Sequence, residues 1–381
     1  MFALASVLRV AAAEPLPGLI YHPEGDAIVV RNGDVWNNRP LYCNRRMAVV
    51  LAGEMPSLNG PMGVAYFGVK RGETRVWLQH FAERVARYRA GRMEWEFADS
   101  RFSGMKVRLT GTTLADADGF TARLVVEGAR PGDLAAWCVF GRDGKGEPVK
   151  GIRLSAPVEK QERLAFENRE DLTRTGAGNG VVLWTALTDK PQFIAVAADG
   201  EKLGDPATEF TGGLARVEAV GKRVVVETPD PYFDAGVGAS CAAMYGLYVG
   251  KVFVHGGSKW RAPYLGWRVM DGATAYGWHD LVMIAAKDHG SRQVTNSAKV
   301  AAEADSFGAE QSQNSRFYGL GKIMSLGTRY DMQTQFFDQC CREWRATGDA
   351  VFEKLLLPML ERHLQWAMEC FDPDDDGLYE R

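Results

Sequence analysis

The feature that most constrains this chain is a change in the spacing of its apolar residues. From residue 18 to about residue 235, apolar residues come in short runs, several of which alternate with polar residues, as in Arg92-Met-Glu-Trp-Glu-Phe. Turn-forming pairs such as Asp118-Gly119 and Asp199-Gly200 separate the runs. The runs begin at Ala27, Arg46, Val64, Thr74, Arg92, Met105, Phe120, Ala136, Val181, Phe193 and Lys222. Because neighbouring side chains of a strand point to opposite faces, this pattern predicts a large antiparallel β-sandwich and not a doubly wound fold.

The last part of the chain has the period of a helix instead. Two apolar stripes at three- and four-residue spacing predict helices that begin near Arg329 and near Asp349, with Gly348 at the break between them. Pro358 is expected to kink the second helix. The predicted buried stripes are Tyr330, Gln333, Phe337, Cys341 and Trp344, followed by Phe352, Leu355, Leu356, Met359, Leu360, Leu364, Ala367 and Phe371. The pattern therefore predicts an antiparallel helical hairpin.

Short motifs in this hairpin resemble those of the six-hairpin glycosidases. They are Arg345-Ala-Thr-Gly-Asp, the Leu357-Pro358 step, Trp366 and the Asp-x-Asp-x-Asp-Gly-Leu-Tyr-Glu sequence that begins at Asp372. The resemblance implies an (α/α)6 toroid in which acidic loops line a sugar pocket. Motifs in the first part of the chain and at residues 260–268 also resemble a bacterial family of unknown function from secreted polysaccharide-degrading systems. Members of that family pair an N-terminal sandwich with a full helical catalytic domain.

These patterns predict three segments. Residues 1–17 are apolar and small and end near an Ala-x-Ala pattern, which indicates a signal peptide remnant or a disordered N-terminus. Residues 18–245 form the predicted β-sandwich domain, and residues 246–381 form the first hairpins of an (α/α)6 toroid. Twelve helices of about 11 to 12 residues each need more chain than follows the sandwich, so we expect a fragment of a longer protein. The N-terminal pattern predicts a periplasmic or secreted location.

The overall composition excludes several classes of partner. Lys and Arg number 45 against 48 Asp and Glu, so there is no basic excess that would favour nucleic acid. No apolar run of 18 residues occurs, which argues against a membrane span. The six cysteines are scattered without metal-binding spacing, and no cofactor is expected. The sequence leaves the oligomeric state open.

The entry into the helical part holds the densest polar and aromatic cluster of the chain. Trp267, Arg268, Asp271, Trp278 and His279 are candidate substrate-binding residues, because aromatic rings stack on pyranose rings and charged groups bind sugar hydroxyls. An equally good interpretation is a buried Trp with an Arg–Asp ion pair at the domain junction. A lone helical histidine is more often structural than a catalytic base. One helix is predicted from Gly272 to Gly290, and a long surface loop is predicted over residues 296–327.

The acidic C-terminal stretch is the second candidate site. Glycoside hydrolysis requires two carboxyl groups across the scissile bond, and the resemblance implies that Glu380 and Asp376 supply catalytic carboxylates. Two other interpretations compete. A tight turn in which Asp side chains cap backbone amides is favoured, and a calcium loop with Asp372, Asp374 and Asp376 as ligands ranks last.

Three functions of different classes follow. The first is a glycoside hydrolase that acts on a poly- or oligosaccharide, with this chain itself inactive because its catalytic domain is incomplete. The second is a non-catalytic carbohydrate-binding sandwich, and the third is a calcium-stabilised structural module. We also expect the chain to associate, because a partial toroid would expose apolar residues such as Leu355, Leu356, Met359 and Leu360.

Overall fold

The chain divides into two compact units, Met1–Gly246 and Leu247–Arg381. A computed structural model describes residues 21–31, 39–43, 47–51, 57–60, 63–117, 119–140, 151–166, 178–197, 203–254, 265–296, 301–302, 317–324, 330–372 and 374–379. The predicted N-terminal segment 1–17 therefore lies outside the described residues.

Most of the first unit consists of antiparallel strands in two large sheets. One sheet has, in spatial order, β1 (His22–Glu24), β2 (Ala27–Arg31), β8 (Glu83–Arg89), β9 (Arg92–Ala98), β10 (Lys106–Thr113), β11 (Gly119–Glu127), β16 (Gln192–Ala197) and β13 (Gly151–Leu154). The other has β14 (Lys160–Phe166), β15 (Gly178–Ala186), β12 (Leu134–Phe140), β6 (Gly63–Arg71) and β5 (Ser57–Gly60), with β7 (Thr74–Trp77) also paired to β6. β3 (Arg39–Cys43) and β4 (Met47–Leu51) form a separate two-stranded sheet that contacts strands of both large sheets, and short 3-10 helices occupy Leu78–His80 and Ser100–Phe102. The predicted antiparallel β-structure is confirmed for every strand run except the one at Lys222.

The two large sheets share one apolar core. Phe67 of β6 and Trp137 of β12 pack with Trp95 of β9, Phe120 of β11 and Ile194 of β16, each of them at most 2 % exposed. The rings of Phe67 and Trp137 meet edge to face, with centroids 5.6 Å apart. Burial of several large aromatic side chains is worth roughly 1.5 to 3 kcal/mol each, so this core supplies most of the driving force for the first unit.

A chain of buried hydrogen bonds crosses that core. The indole Nε1 of Trp137 donates to Oγ1 of Thr185 over 2.9 Å. The Thr185 hydroxyl in turn donates to Oε1 of Gln192 over 2.7 Å, and Nε2 of Gln192 donates to the Ala186 carbonyl. These hydrogen bonds satisfy three buried polar side chains. They also link the two sheets, because β15 and β16 belong to different sheets.

Two helices close the first unit and were not predicted. α1 (Pro206–Gly221) and α2 (Pro231–Gly246) both begin with an Asp-Pro pair. The Asp205 carboxylate accepts from the Thr208 backbone amide over 3.0 Å, and the Asp230 carboxylate accepts from the Tyr232 amide over 2.9 Å. Aspartate at the N-cap followed by proline is a known signal for the start of a helix. It was overlooked here because the preceding sequence has the alternating pattern of strands.

The strand predicted from Lys222 to Glu227 is wrong. These residues form the connection between α1 and α2, and Val225 is 76 % exposed. The run of three valines favours an extended backbone, but in the described part of the chain no strand lies beside it. Extended conformation alone does not make a sheet, because a strand also needs a partner.

The second unit is mainly helical. Its elements are β17 (Tyr248–Val249), β18 (Val252–Phe253), α3 (Val269–Ala275), α4 (His279–Gly290), β19 (Ala301–Ala302), β20 (Phe317–Tyr318), α5 (Tyr330–Thr347) and α6 (Ala350–Phe371). The single helix predicted from Gly272 to Gly290 is therefore two helices. Gly277 has a φ of 73°, and this left-handed residue breaks the helix between Ala275 and His279.

The predicted hairpin of α5 and α6 is present, and its buried face agrees with the predicted one in part. Gly348 is left-handed at the end of α5, and the Asp349 carboxylate caps α6 at the Val351 amide over 2.7 Å. The residues of the two helices that are buried are Met332, Gln333, Phe336, Phe337, Gln339, Cys340, Glu343, Phe352, Leu356, Met359, His363, Trp366, Ala367 and Phe371. Leu364, predicted to be buried, is 45 % exposed. The prediction differs from the structure because polar residues such as Gln339 and Glu343 are part of the buried face. The spacing of apolar residues does not identify them.

The surface loop predicted over residues 296–327 is wrong for its last described part. Lys322 and Ile323 are almost completely buried, and the backbone of this segment bonds to that of Arg292 and Val294. A Cβ on Gly321 would lie 1.8 Å from the carbonyl oxygen of Arg362, so only glycine allows this close approach. Residues 319–323 are thus a largely buried connection beside α6, whereas Met324 is 39 % exposed.

Among the described helices, none combines the length and apolar character that a bilayer crossing requires. The kink at Pro358 and the closure of the helices into a toroid stay predictions.

Candidate functional site

A short loop before α3 is held in place by the side of α5. A Cβ on Gly266 would lie 2.4 Å from the carbonyl oxygen of Met332, so the two backbones touch. Gln339, 1 % exposed, binds both ends of the loop: its Nε2 donates to the Leu265 carbonyl over 3.2 Å, and its Oε1 accepts from the Met270 amide over 3.1 Å. A buried amide with both ends bonded fixes the loop rigidly.

The two residues at the tip of this loop face outward. Trp267 is 39 % exposed, a high value for a large aromatic side chain. Arg268 is exposed and has a φ of 55° and a ψ of 18°, the left-handed region. A residue other than glycine costs roughly 1 to 2 kcal/mol there, and such strain persists where the surroundings impose it. The loop therefore has a strained backbone at Arg268, next in sequence to the exposed indole of Trp267.

Asp271, in the first turn of α3, has the most unusual carboxyl of this region. Burial raises its pKa above the ordinary value, Asp338 raises it further, and the nearby charges of Arg342 and Arg268 act in the opposite direction. Its Oδ1 is buried and has no hydrogen-bond partner among the described residues. Burial shifts the pKa of this carboxyl in the direction that favours the protonated form, the form in which a general acid acts.

Asp338 and Arg342 of α5 complete the charged surroundings of Asp271. They lie one helical turn apart and form an ion pair of 3.0 Å. Sequence reasoning missed both residues, together with Gln339 and Glu343. Their four-residue spacing on α5 was the available signal, because it places two polar rows beside the apolar stripe. We call Trp267, Arg268, Asp271, Asp338 and Arg342 the α3–α5 face.

Trp278 and His279 occupy different environments. Trp278 is only 4 % exposed and its ring packs at 5.7 Å from that of Tyr276, so it is part of the core and not a surface on which a sugar could stack. The side chain of His279 is 46 % exposed, and its Nδ1 lies 2.8 Å from Oε1 of Glu343. Trp278 therefore has almost no exposed surface, whereas His279 is accessible.

The C-terminal acidic stretch forms a tight turn. The Asp372 carboxylate accepts from the amides of Asp376 and Gly377 over 2.9 and 3.1 Å, and Asp376 accepts from the Leu378 amide over 2.8 Å. Gly377 is left-handed with a φ of 82°. These contacts are those of the predicted capping turn.

Metal ligation by the same turn is geometrically feasible. One carboxylate oxygen from each of Asp372, Asp374 and Asp376 lies within 4.8 Å of the others, and Asp374 and Asp376 are exposed. Backbone amides already donate to both carboxylate oxygens of Asp372.

The structure brings only some of the predicted site residues together. Trp267, Arg268 and Asp271 lie on one loop and helix start, against α5. Asp376 lies in the turn after α6, where Tyr379 packs on Phe371 with ring centroids 6.3 Å apart. Glu380 lies outside the described residues.

Comparisons with known proteins find a family match for part of the chain. Residues 55–156, in the strand-rich unit, match the model of a domain of unknown function, DUF4450. No curated protein matches the chain. Among solved structures, one described as a candidate kojibiose phosphorylase from human microbiome is similar at a TM-score of 0.49 and 9 % identity. The match covers 93 % of this chain and 60 % of that chain, so the present chain spans less than two thirds of its length.

Proposed function

We propose that this chain binds a poly- or oligosaccharide on the α3–α5 face as part of a glycoside hydrolase. The observation that carries the proposal is the environment of Asp271, a carboxyl with a raised pKa beside an exposed indole and a strained, exposed guanidinium. Glycoside hydrolysis uses such a carboxyl to protonate the leaving oxygen. The indole of Trp267 would stack on a sugar ring, and Arg268 would bind its hydroxyl groups.

The resemblance of the hairpin motifs to six-hairpin glycosidases supports the same function. In that interpretation the activity belongs to a longer protein whose further hairpins complete the pocket, and Glu380 and Asp376 remain proposed catalytic carboxylates. A periplasmic or secreted location, suggested by residues 1–17, is part of the same proposal.

Saccharide binding by the 381-residue chain tests the proposal directly. We expect calorimetric titration with a panel of neutral and acidic oligosaccharides to reveal at least one ligand. Trp267→Ala should weaken its binding roughly tenfold, the loss of one well-packed aromatic contact. Phe233→Ala is the matched control, because Phe233 is 55 % exposed and lies in the other unit. Equal effects of the two substitutions, or no ligand in the panel, would contradict the proposal.

The role of Asp271 requires a kinetic test in the longer protein. Asp271→Asn removes the proton donor with little change of shape and should lower kcat roughly 100-fold or more. Asp280→Asn is the control, since Asp280 is also an acidic residue in the first turn of a helix. If both variants keep full activity, Asp271 is not the acid.

A further inference from the structure

Thr274, Glu343 and His279 form a connected set of side chains beside the α3–α5 face. Glu343 is only 2 % exposed. Its Oε2 accepts from the Thr274 hydroxyl over 2.5 Å, and its Oε1 lies 2.8 Å from Nδ1 of His279. Among the described residues, no lysine or arginine lies within ion-pair distance of Glu343. The carboxylate is thus held from two sides by one hydroxyl and one imidazole.

This arrangement decides which ring nitrogen of His279 is available. A carboxylate is an acceptor, so Nδ1 must carry the hydrogen that it shares with Glu343. The neutral ring then has its lone pair at Nε2. The side chain is 46 % exposed, and in the described part of the chain Nε2 has no hydrogen-bond partner. An oriented acceptor is thereby presented on an accessible ring.

The same set continues the face proposed to bind saccharide. Thr274 follows Asp271 by three residues on α3, and Glu343 follows Arg342 on α5. Residues three apart on a helix lie on the same side, so the Thr274–Glu343 contact lies along the same seam between α3 and α5 as Asp271. His279, which begins α4, is bonded to the end of that seam.

We propose that Nε2 of His279 accepts a hydrogen bond from a hydroxyl group of the bound saccharide, with Glu343 and Thr274 as positioning residues that fix the ring and its tautomer. The inference rests on the proposed function for the identity of the ligand. It adds a specificity-determining residue, because an acceptor at a fixed position selects a sugar whose hydroxyl reaches it.

Two substitutions at His279 separate this role from a purely structural one. In His279→Asn the amide nitrogen takes the place of Nδ1 and keeps the bond to Glu343, but nothing replaces Nε2. In His279→Gln the amide oxygen reaches the position of Nε2, but the bond to Glu343 is lost. We expect Asn to preserve the melting temperature and to weaken saccharide binding about fivefold, and Gln to retain more of the binding than Asn. If both variants bind as well as the wild type, the inference is overturned.

Nitrogen-15 NMR of the histidine rings supplies a readout that does not depend on catalysis. In the wild-type chain the Nδ1–H tautomer of His279 should exceed the Nε2–H tautomer about tenfold, since a bond to a charged group favours it by that factor. Exposed His80, which has no carboxylate partner among the described residues, is the internal control. Glu343→Gln should abolish the preference, and Thr274→Val should reduce it in a chain that keeps its packing. An Nε2–H tautomer in the wild type would refute the assignment.

The same spectra distinguish the failure of this inference from failure of the proposed function. Saccharide that moves the indole signal of Trp267 but leaves the Nε2 signal of His279 unchanged would overturn this inference alone. Absence of any saccharide binding would overturn both. We expect saccharide to move both signals in the wild type. In His279→Asn, saccharide should still move the indole signal of Trp267.

Discussion

Arg268 has an unusual backbone conformation for its residue type. Its left-handed conformation is unfavourable for arginine, and glycine would adopt it without strain. The chain keeps an arginine at a position where stability alone favours glycine. We therefore expect the Arg268 side chain to have a role that offsets this strain.

Substituting glycine for Arg268 should therefore separate stability from binding. We expect Arg268→Gly to raise the free energy of unfolding by about 1 kcal/mol and to weaken saccharide binding, because strain and guanidinium are removed together. Arg268→Ala is the control, since it removes the guanidinium and leaves the strain. Thermal melting and titration of both variants check this. Equal stability of the Gly and Ala variants would show that the strain is absent in solution.

Two buried histidines predict how stability depends on pH. Burial lowers the pKa of His363 from 6.5 to about 4, and burial, followed by Arg292, lowers that of His289 to about 4. Between pH 6.5 and 4 the unfolded histidines bind protons that the folded ones do not. Stability is therefore full above pH 6.5 and is lost as the pH falls to about 4, by about 3 kcal/mol for each histidine.

His363→Phe tests this dependence at one of the two sites. His363 stacks on Phe337 with ring centroids 4.4 Å apart, so phenylalanine retains the stacking and cannot be protonated. Urea unfolding at pH 7 and at pH 4.5 gives the loss of unfolding free energy between the two pH values. We expect this loss in the variant to be about half of that in the wild type. An unchanged loss would mean that other groups cause the acid sensitivity.

At the scale of the element, α5 organises the second unit. Its side chains bind the loop before α3, the connection at Ile323, and the Thr274–His279 pair, through Gln339, Gln333 and Glu343. A helix that positions its neighbours by polar contacts differs from one that only packs. The cost is that each buried polar group must remain bonded.

Gly266 tests how tightly α5 holds the loop. Gly266→Ala places a methyl group against the backbone of Met332, which cannot yield as a side-chain end can. We expect a loss of about 1 to 3 kcal/mol and weaker saccharide binding. Gly236→Ala in α2 is the control, because a Cβ there meets nothing within 4 Å. Thermal melts of the two variants give the comparison, and equal melting temperatures would contradict a close backbone contact.

The turn after α6 should be independent of metal. We expect a chelator to leave the melting temperature unchanged, whereas Asp372→Ala should cost about 1 to 3 kcal/mol because two amides lose their acceptor. Asp374→Ala is the control, as Asp374 is exposed. A fall of several degrees in chelator would restore the calcium interpretation.

The sequence predicted those elements in which apolar spacing carries the information. The strands and the α5–α6 hairpin are such cases. The polar positions of α5 were not predictable in this way, because whether Gln339 or Glu343 is buried depends on loops distant in sequence. The burial of Trp278 was missed for a similar reason, since the same residue type is exposed at Trp267 and packs in the core at Trp278. The left-handed Arg268 has no sequence signal at all.

At the scale of the whole molecule, the second unit has apolar surface on α6. Leu357, Leu364 and Met368 are 37, 45 and 48 % exposed, and Val351 is 63 % exposed. The residues that we expected to be exposed are not these: Leu356 and Met359 are buried, and Leu355 and Leu360 are half-buried. The expectation of an exposed apolar face therefore holds for different residues of α6.

This surface predicts association of the chain. Light scattering should give oligomers for the 381 residues and a monomer for residues 18–245, which lack α6. A double substitution, Leu364→Glu with Met368→Glu, should restore the monomer without unfolding, as both side chains are exposed. A monomeric wild-type chain would refute this prediction.

The hydrogen bond between Trp137 and Thr185 bears on how faithfully the first unit folds. Trp137 pairs across the sheet with Leu183, and Thr185 lies two residues further on the same face. If β12 and β15 paired one residue out of register, Thr185 would point to the opposite face, and the buried indole would lose its acceptor. A slip of two residues would displace the hydroxyl by about 7 Å. Either mistake also breaks the link through Gln192 to the other sheet. The Trp137–Thr185 bond thus favours the native register of β12 and β15. We expect Thr185→Val to produce misregistered, aggregation-prone chains more often than its loss of equilibrium stability alone would predict.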